Sequence, residues 1–113
     1  MSSLQETERY SAARSTHPRV SLADIEASIT ARYDFTAGGA LSALNMPAIS
    51  STDLLTICIL VMKNGFTVVG KSAPASPENF DPEKGRLFAY EDAVRQLWPL
   101  MGFALRDRLA SQA

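Results

Sequence analysis

The chain has 113 residues, with 11 Lys and Arg, 12 Asp and Glu, and a formal net charge of −1. This length is typical of a single domain. A nearly neutral chain has no bulk attraction to a nucleic acid polymer or to an anionic membrane, so neither is expected as a partner. No stretch approaches the ~18 apolar residues of a membrane span, and the first residues lack the apolar core of a signal peptide. A cytoplasmic protein is therefore expected.

Histidine and cysteine each occur once, as His17 and Cys58. They exclude an internal disulfide, and nearly exclude a zinc site built on soft ligands and a Cys–His dyad. Cys58 lies within an apolar run, which favours a small buried residue over a nucleophile. No Walker loop, dinucleotide-binding glycine motif or Ser-His-Asp set is present. The sequence thus predicts a protein that is not an enzyme and holds no cofactor or metal.

The first 19 residues are rich in Ser, Glu and Arg and end near Pro18. They show neither helical nor strand periodicity, which predicts a flexible N-terminal arm. Residues 20–113 are then the single folded domain. Arginines in the arm could contact phosphates, but a solvated tail is the simpler interpretation.

Two elements are predicted at the start of the domain. Ser21 can cap a short helix, because its hydroxyl can accept from the free amides of the first turn. From Ile29 the apolar period changes to two, which predicts a strand near residues 29–37 with Tyr33 and Phe35 on its buried face. Residues 38–53, with Gly, Pro and Ser, form a connection long enough to suggest a mobile or partner-facing loop.

A hairpin follows, with strands near 54–63 and 66–73. Asn64-Gly65 predicts a two-residue type I′ turn, since both residues tolerate positive φ. That turn places Val61 opposite Val68 and assigns Ile59 to the more apolar face. The other face, with Leu60, is also apolar, so both faces of the sheet need cover.

A long helix is predicted from Asp81 onward, with Asp81 as N-cap and Pro82 in the first turn. Pro99 predicts a kink. The residues expected to form its core stripe are Leu87, Tyr90, Val94, Leu97 and Met101. The fold class is α+β: a small antiparallel sheet packed on a long C-terminal helix. One helix covers one sheet face, so a homodimer or larger even assembly is expected, with Ile59→Asp abolishing folding and Leu60→Asp dissociating the assembly.

The loop from Lys71 to Asp81 joins a strand end to a helix N-terminus. Free amides and the positive end of the helix dipole favour phosphate at such a place. An ordinary strand-to-helix connection stiffened by prolines is the alternative interpretation, and the residues alone favour it.

Much of the chain resembles a family of small tailed-phage and prophage proteins of formerly unknown function. Its most specific blocks are Asn-Gly-Phe-Thr-Val at 64–68 and Ser-Pro-Glu-Asn-Phe-Asp at 76–81. The segments that carry the resemblance are Thr56–Ala73, Ala75–Asp81, Gly85–Arg86, Ala89–Ala93, Leu97–Leu100 and Gly102–Leu109, with Arg19–Glu26 and Tyr33–Ala37 upstream.

This family in turn resembles the first-described Thoeris anti-defence proteins. Those are phage sponges that sequester the cyclic ADP-ribose isomer made by bacterial TIR-domain enzymes, and some bind cyclic oligonucleotides. The resemblance implies a non-enzymatic binder of a cyclic nucleotide. The ligand-binding residues it implies are Phe66, Lys71, Ser76, Asn79, Phe80, Arg86 and Arg106. Asp92 stands where the family pattern has Asn, so either the ligand differs or Asp92 faces away from it. The alternative function is an accessory protein that binds a host or phage protein and no small ligand.

Overall fold

The computed structural model describes residues 3–113, which form four α-helices and three strands. The helices are α1 (Ser3–Arg14), α2 (Leu22–Ala27), α3 (Ala37–Ala43) and α4 (Pro82–Ser111), and the strands are β1 (Ile29–Thr36), β2 (Thr56–Met62) and β3 (Thr67–Ser72). The sheet is antiparallel in the order β1-β2-β3. The predicted α+β class, with strands at the expected places and a long C-terminal helix, is confirmed.

The core lies between α4 and one face of the sheet. On β2 the buried side chains alternate, and Cys58 and Leu60 have no exposed surface. They pack with Val94 and Leu97 of α4 in a single apolar cluster. The prediction of Cys58 as a small buried residue is confirmed. We call this side of the sheet the helix face and the opposite side the open face.

Small residues allow α4 to lie close against β3. A Cβ added at Gly70 would lie 2.0 Å from the carbonyl oxygen of Ala89 and 2.5 Å from the amide nitrogen of Ala93. Only glycine fits a backbone contact this close, because nothing at those positions can move aside. Ala89 and Ala93, both fully buried, complete the contact.

The hairpin differs from its prediction by one residue. Its loop has three residues, Lys63-Asn64-Gly65: the Met62 amide donates to the Phe66 carbonyl at 2.8 Å, and only Gly65 has a positive φ, of 88°. A type I′ turn needs positive φ at both central residues, so the two-residue turn is wrong. Val61 lies opposite Thr67 rather than Val68.

This shift changes which face is buried, because a one-residue slip moves each side chain of a strand to the other face. Leu60 pairs with Val68 on the helix face, and both are buried. Ile59 pairs with Val69, which is 51% exposed on the open face. The prediction that the Ile59 face is the core and the Leu60 face awaits a partner is therefore reversed.

Strand β1 also turns the opposite way from its prediction. An irregularity between Ile29 and Ala31 shifts the pairing with β2. Beyond it, Tyr33 and Phe35 lie on the open face, 57% and 38% exposed. Asp34 lies opposite the buried Cys58 instead. The expectation that the aromatic side of this strand is buried is wrong.

Helix α4 begins as predicted. The Asp81 carboxylate accepts from the amides of Glu83 and Lys84, and Pro82 occupies the first helical position. The helix includes Pro99 and continues to Ser111, so the proline does not end it. Leu87 was predicted to belong to the core stripe of this helix, but it is 43% exposed, so this part of the prediction is wrong.

Two segments expected to be irregular have regular structure. Within the segment predicted to be a flexible arm, residues Ser3–Arg14 form α1, whose Leu4 is buried. Within 38–53, α3 is capped by the Thr36 hydroxyl, and a 3-10 turn covers Ser50–Leu54.

Candidate functional site

The residues that the resemblance implied lie in three places. Ser76, Asn79, Phe80 and Arg86 are at the N-terminal end of α4, Phe66 is at the hairpin tip and Arg106 near the C-terminal end of α4, and Lys71 is on β3 between these ends. Twenty residues of helix separate Arg86 from Arg106, which corresponds to about 30 Å. A single subunit therefore does not bring the seven side chains together.

The loop before α4 has few free donors for an anion. The Asp81 Oδ1 atom already accepts from Glu83 N at 2.9 Å and from Lys84 N at 3.3 Å. The Ser76 hydroxyl donates to Glu78 Oε2 at 2.9 Å. Hydrogen bonds from its own backbone amide and from Ser76 lower the pKa of Glu78. A phosphate bound here would lie beside the carboxylates of Glu78 and Asp81. The amides that it would need already donate to Asp81.

Lys71 and Asp92 are linked across the edge of β3. The Lys71 amide donates to Asp92 Oδ2 at 2.9 Å, and Gln96, one turn later, donates to the Val69 carbonyl at 2.6 Å. Asp92 therefore faces the outer edge of β3. Its carboxylate holds the helix to the outer strand.

A large cavity lies elsewhere, at the hairpin tip. It has a volume of about 800 Å³ and is bounded by α2, the hairpin turn and the C-terminal half of α4. Its lining includes the apolar side chains Val20, Met62, Leu97, Leu100, Met101 and Leu105. We call it the tip groove. Its volume falls within the roughly 300–1,000 Å³ of small-molecule sites.

Four charged residues surround the tip groove, and two of them are already engaged. Arg19 donates to Glu8 at 2.5 Å and to the Ser11 hydroxyl at 3.4 Å. Asp24 accepts from the Ser21 amide at 2.9 Å and also bonds that residue's hydroxyl. These two contacts, the amide first, lower the pKa of Asp24.

The other two charged residues, Lys63 and Arg108, are cations. No hydrogen bond or ion pair among residues 3–113 engages the side chain of Lys63 or Arg108. Phe66, which is 53% exposed, adds an aromatic surface to the same groove. Unpaired cations, an aromatic ring and an apolar lining together suit a flat ligand that carries negative charge.

Of the seven implied residues, the tip groove contains Phe66 alone. Lys63 was not predicted as a site residue, and Met101 was predicted only as part of the core stripe. The signal for Met101 was the helical spacing of Leu97, Met101, Ala104, Leu105 and Arg108, which continues the apolar stripe of α4 beyond the sheet. Continued spacing of this kind marks a helix face that lacks a covering element within the chain.

Cys58 has no reactive character. Burial raises the pKa of its thiol to about 11, and the nearby Asp34 carboxylate adds to the effect. Within residues 3–113, no three His, Cys, Asp or Glu side chains are grouped so that they could hold a metal ion. None of the helices described for this part of the chain is long and apolar enough to cross a membrane.

Comparison with known protein families identifies the family to which the chain belongs. The model of the phage protein (N4 Gp49/phage Sf6 gene 66) family matches residues 20–109. The chain belongs to this phage protein family, and α1 lies outside the matched stretch. No curated protein and no solved structure matches the chain.

Proposed function

We propose that this phage protein binds and sequesters a cyclic nucleotide immune signal in the host cytoplasm, without turning it over. The proposed ligands are a cyclic ADP-ribose isomer and cyclic oligonucleotides. The observation that carries the proposal is the tip groove: about 800 Å³ of space, apolar within, with Phe66 and the unpaired Lys63 and Arg108 on its lining. The resemblance to anti-defence sponges supplies the biological setting.

Each part of the ligand has a counterpart in the groove. The Phe66 ring offers a flat face on which adenine can stack. Arg108 can form a bidentate contact with a phosphate, whereas Lys63 acts as a point charge. The methionines Met62 and Met101 adapt readily to the shape of a ribose or a second base.

We also propose that the protein acts as a homo-oligomer. Its accessible surface is 7602 Å². A compact monomer of 12.3 kDa is expected to expose about 6,100 Å². The difference, roughly 1,500 Å², exceeds the ~800 Å² that each partner contributes to a standard interface. A second copy is the simplest cover for this excess, and it could bring residues from the two ends of α4 together.

Two neighbouring arginines on α4 test the location of the site. Arg108 lines the tip groove, whereas Arg106, also exposed, does not and belongs to the set implied by resemblance. Losing a charged contact worth ~1.5–3 kcal/mol weakens binding about 10- to 100-fold. We expect Arg108→Ala to lose this much affinity for cyclic ADP-ribose or a cyclic dinucleotide in titration calorimetry. Phe66→Ala should also bind more weakly, because it loses base stacking worth ~1–3 kcal/mol. Arg106→Ala, the matched control, should bind like the wild type.

The opposite result, with Arg106→Ala weak and Arg108→Ala normal, would move the site to the set implied by resemblance. If the wild-type protein binds none of these nucleotides and releases no nucleotide when heated after exposure to extract containing the signal, the sponge proposal fails.

A specific observation favours the second candidate, an accessory protein that binds a host or phage protein. The open face carries the exposed side chains of Tyr33, Phe35 and Val69 beside Ile57 and Ile59. Adjacent apolar side chains on a flat sheet are typical of protein interfaces. Capture of one phage or host protein by the wild type, lost in Tyr33→Ser, would support this function.

A further inference from the structure

The two edges of the sheet are treated differently. On β3, side chains of α4 occupy the outward backbone groups: Asp92 accepts the Lys71 amide and Gln96 donates to the Val69 carbonyl. This blocks strand addition at that edge. For β1, no hydrogen bond among residues 3–113 joins its outer edge to another element. An exposed edge with free amides and carbonyls is a template for pairing with another strand.

The register shows which residues of β1 point outward. In an antiparallel ladder each residue directs both its amide and its carbonyl to the same side. Val69 and Lys71 point away from β2, so their partners Ile59 and Ile57 point towards β1 and bond Tyr33 and Phe35. The Ala37 amide, which donates to the Leu55 carbonyl at 2.9 Å, fits the same alternation.

The backbone groups of Arg32 and Asp34 are therefore the ones at the free edge. Their side chains, on the helix face, already form an ion pair of 2.9 Å within the strand. Arg32 also lies over the ring of Tyr90, 4.2 Å from its centroid. The edge thus carries one cation and one anion, two residues apart.

This charge pattern selects one register for pairing with an identical strand. Near the middle of the strand, two-fold registers centred on residue 32, 33 or 34 match the outward groups. The first places Arg32 opposite Arg32 of the second copy, and the last places Asp34 opposite Asp34. Like charges directly opposite are destabilising, whereas opposite charges are favourable. Only the register centred on Tyr33 places each Arg32 opposite an Asp34.

We propose that β1 pairs antiparallel with β1 of a second copy, with the two-fold axis at Tyr33, to form one six-stranded sheet. This deepens the proposed self-association by naming its surface, and it is independent of ligand binding. On the open face the two Tyr33 rings meet and each Phe35 packs against Ala31 of the other copy. Cross-strand pairs of this kind stabilise sheets.

A disulfide tests the register. Tyr33 would face itself in a non-hydrogen-bonded pair, where Cα atoms are about 4.5 Å apart, within the ~4.4–6.8 Å range of disulfides. Tyr33→Cys should become a covalent dimer under mild oxidation. Phe35→Cys, on the same face, is the matched control: its copies would be four residues out of register, about 14 Å apart, and should stay uncrosslinked. The native Cys58 is buried and does not interfere.

Equal crosslinking of both variants, or crosslinking of Phe35→Cys alone, would overturn the register. No crosslinking of Tyr33→Cys in protein that circular dichroism shows to be folded would overturn the edge pairing.

A charge exchange provides a second, independent test. Arg32→Asp makes both charged positions acidic, and Asp34→Arg makes both basic, so each variant should dimerise about tenfold more weakly alone. When the two variants are mixed, every facing pair is again unlike. We expect a heterodimer by native mass spectrometry, with the affinity restored.

Loss of the ion pair within one subunit cannot explain such a rescue, because neither variant regains it on mixing. Failure of the mixture to form heterodimer would contradict the interface. If the wild-type protein assembles and neither substitution weakens that assembly, the protein is an oligomer whose interface lies elsewhere than β1. A wild-type protein that is a monomer of 12.3 kDa in solution would overturn both the homo-oligomer and the β1 pairing. The nucleotide proposal would still depend on its own test.

Discussion

Leu60 and Ile59 are neighbours on β2, yet only Leu60 lies beneath α4. Leu60 has no exposed surface, whereas Ile59 is half-buried by its neighbours on the open face. Removing methyl groups from a closed core leaves a cavity, which adds to the loss of buried apolar area. On an open surface the solvent and neighbouring side chains fill the space. The two positions should therefore respond very differently to truncation.

We predict that Leu60→Ala lowers the free energy of unfolding by about 2–5 kcal/mol, the usual range for a fully buried leucine. Ile59→Ala, its matched control, should lose roughly 1 kcal/mol, because much of that side chain already faces the open side. Urea denaturation followed by circular dichroism measures both. A larger loss in Ile59→Ala would mean that the open face, not the helix face, is the tighter core.

Sequence pattern located the strands but could not assign their faces. In β2 and β3 the residues on both faces are largely apolar, so the pattern does not show which face is buried. The assignment rested on a single turn, and Asn64-Gly65 fits a three-residue loop as well as a two-residue one. In β1, an irregularity near Ala31 moved Tyr33 and Phe35 outward. Shifts of one residue such as these arise from local backbone geometry that composition does not report.

Helix α1 is held by polar contacts more than by burial. Leu4 is its only buried residue. Glu8 binds Arg19 through both carboxylate oxygens, at 2.5 and 3.2 Å, and accepts from the Leu22 amide at 3.0 Å. At its other end, Ser3 donates to Glu91 at 3.3 Å. Because α1 lacks a repeating apolar stripe, periodicity gave no sign of it.

For a related reason, the sequence could not show that the implied site residues lie far apart. The resemblance named residues along the chain, but it could not show that α4 runs unbroken for 30 residues and separates Arg86 from Arg106. The tip groove exists because that helix extends beyond the sheet, where Lys63 and Arg108 line the same cavity. Such a meeting of hairpin tip and helix end depends on tertiary packing.

Glu8 makes the attachment of α1 dependent on pH. The hydrogen bond from Arg19 holds the pKa of this carboxyl below its usual value of 4.5. A lowered pKa means that the stabilisation is fully present above about pH 4.5 and is lost as the pH falls through the folded-state value. We predict that Glu8→Gln lowers the melting temperature at pH 7 by a few degrees, corresponding to about 1 kcal/mol for a partly exposed pair.

The difference between Glu8→Gln and wild type should shrink as the pH falls below 4.5 and disappear once Glu8 is protonated in the folded protein. Trp98 is the only tryptophan, and it lines the smaller cavity beside Glu8 and Leu4, so its fluorescence reports on this contact. Glu6→Gln, an exposed acid in the same helix, is the control and should change little. A difference between Glu8→Gln and wild type that does not shrink as the pH falls below 4.5 would show that the carboxylate charge is not what holds α1.

The whole molecule is elongated, with extents of 55 × 29 × 18 Å and a radius of gyration of 16.9 Å. A compact domain of this length would have a radius of gyration of about 13 Å. The elongation follows from α4, whose 30 residues span about 45 Å and extend beyond a three-stranded sheet. Pairing through β1 would give a six-stranded sheet with one continuous open face, on which a larger even assembly could build.

If two copies fold and associate together, the melting temperature must depend on protein concentration. Association stabilises the folded state by mass action, and a 100-fold rise in partner concentration contributes about 2.7 kcal/mol per dimer. Shared between two subunits of this size, that corresponds to a rise in melting temperature of roughly 5 °C. We predict this rise by calorimetry between low and high micromolar protein. For Arg32→Asp, whose facing charges repel, the rise should begin only at about tenfold higher concentration. A flat response in the wild type would show that the excess surface stays open in solution, and an equal rise in Arg32→Asp would mean that the copies meet through a surface other than β1.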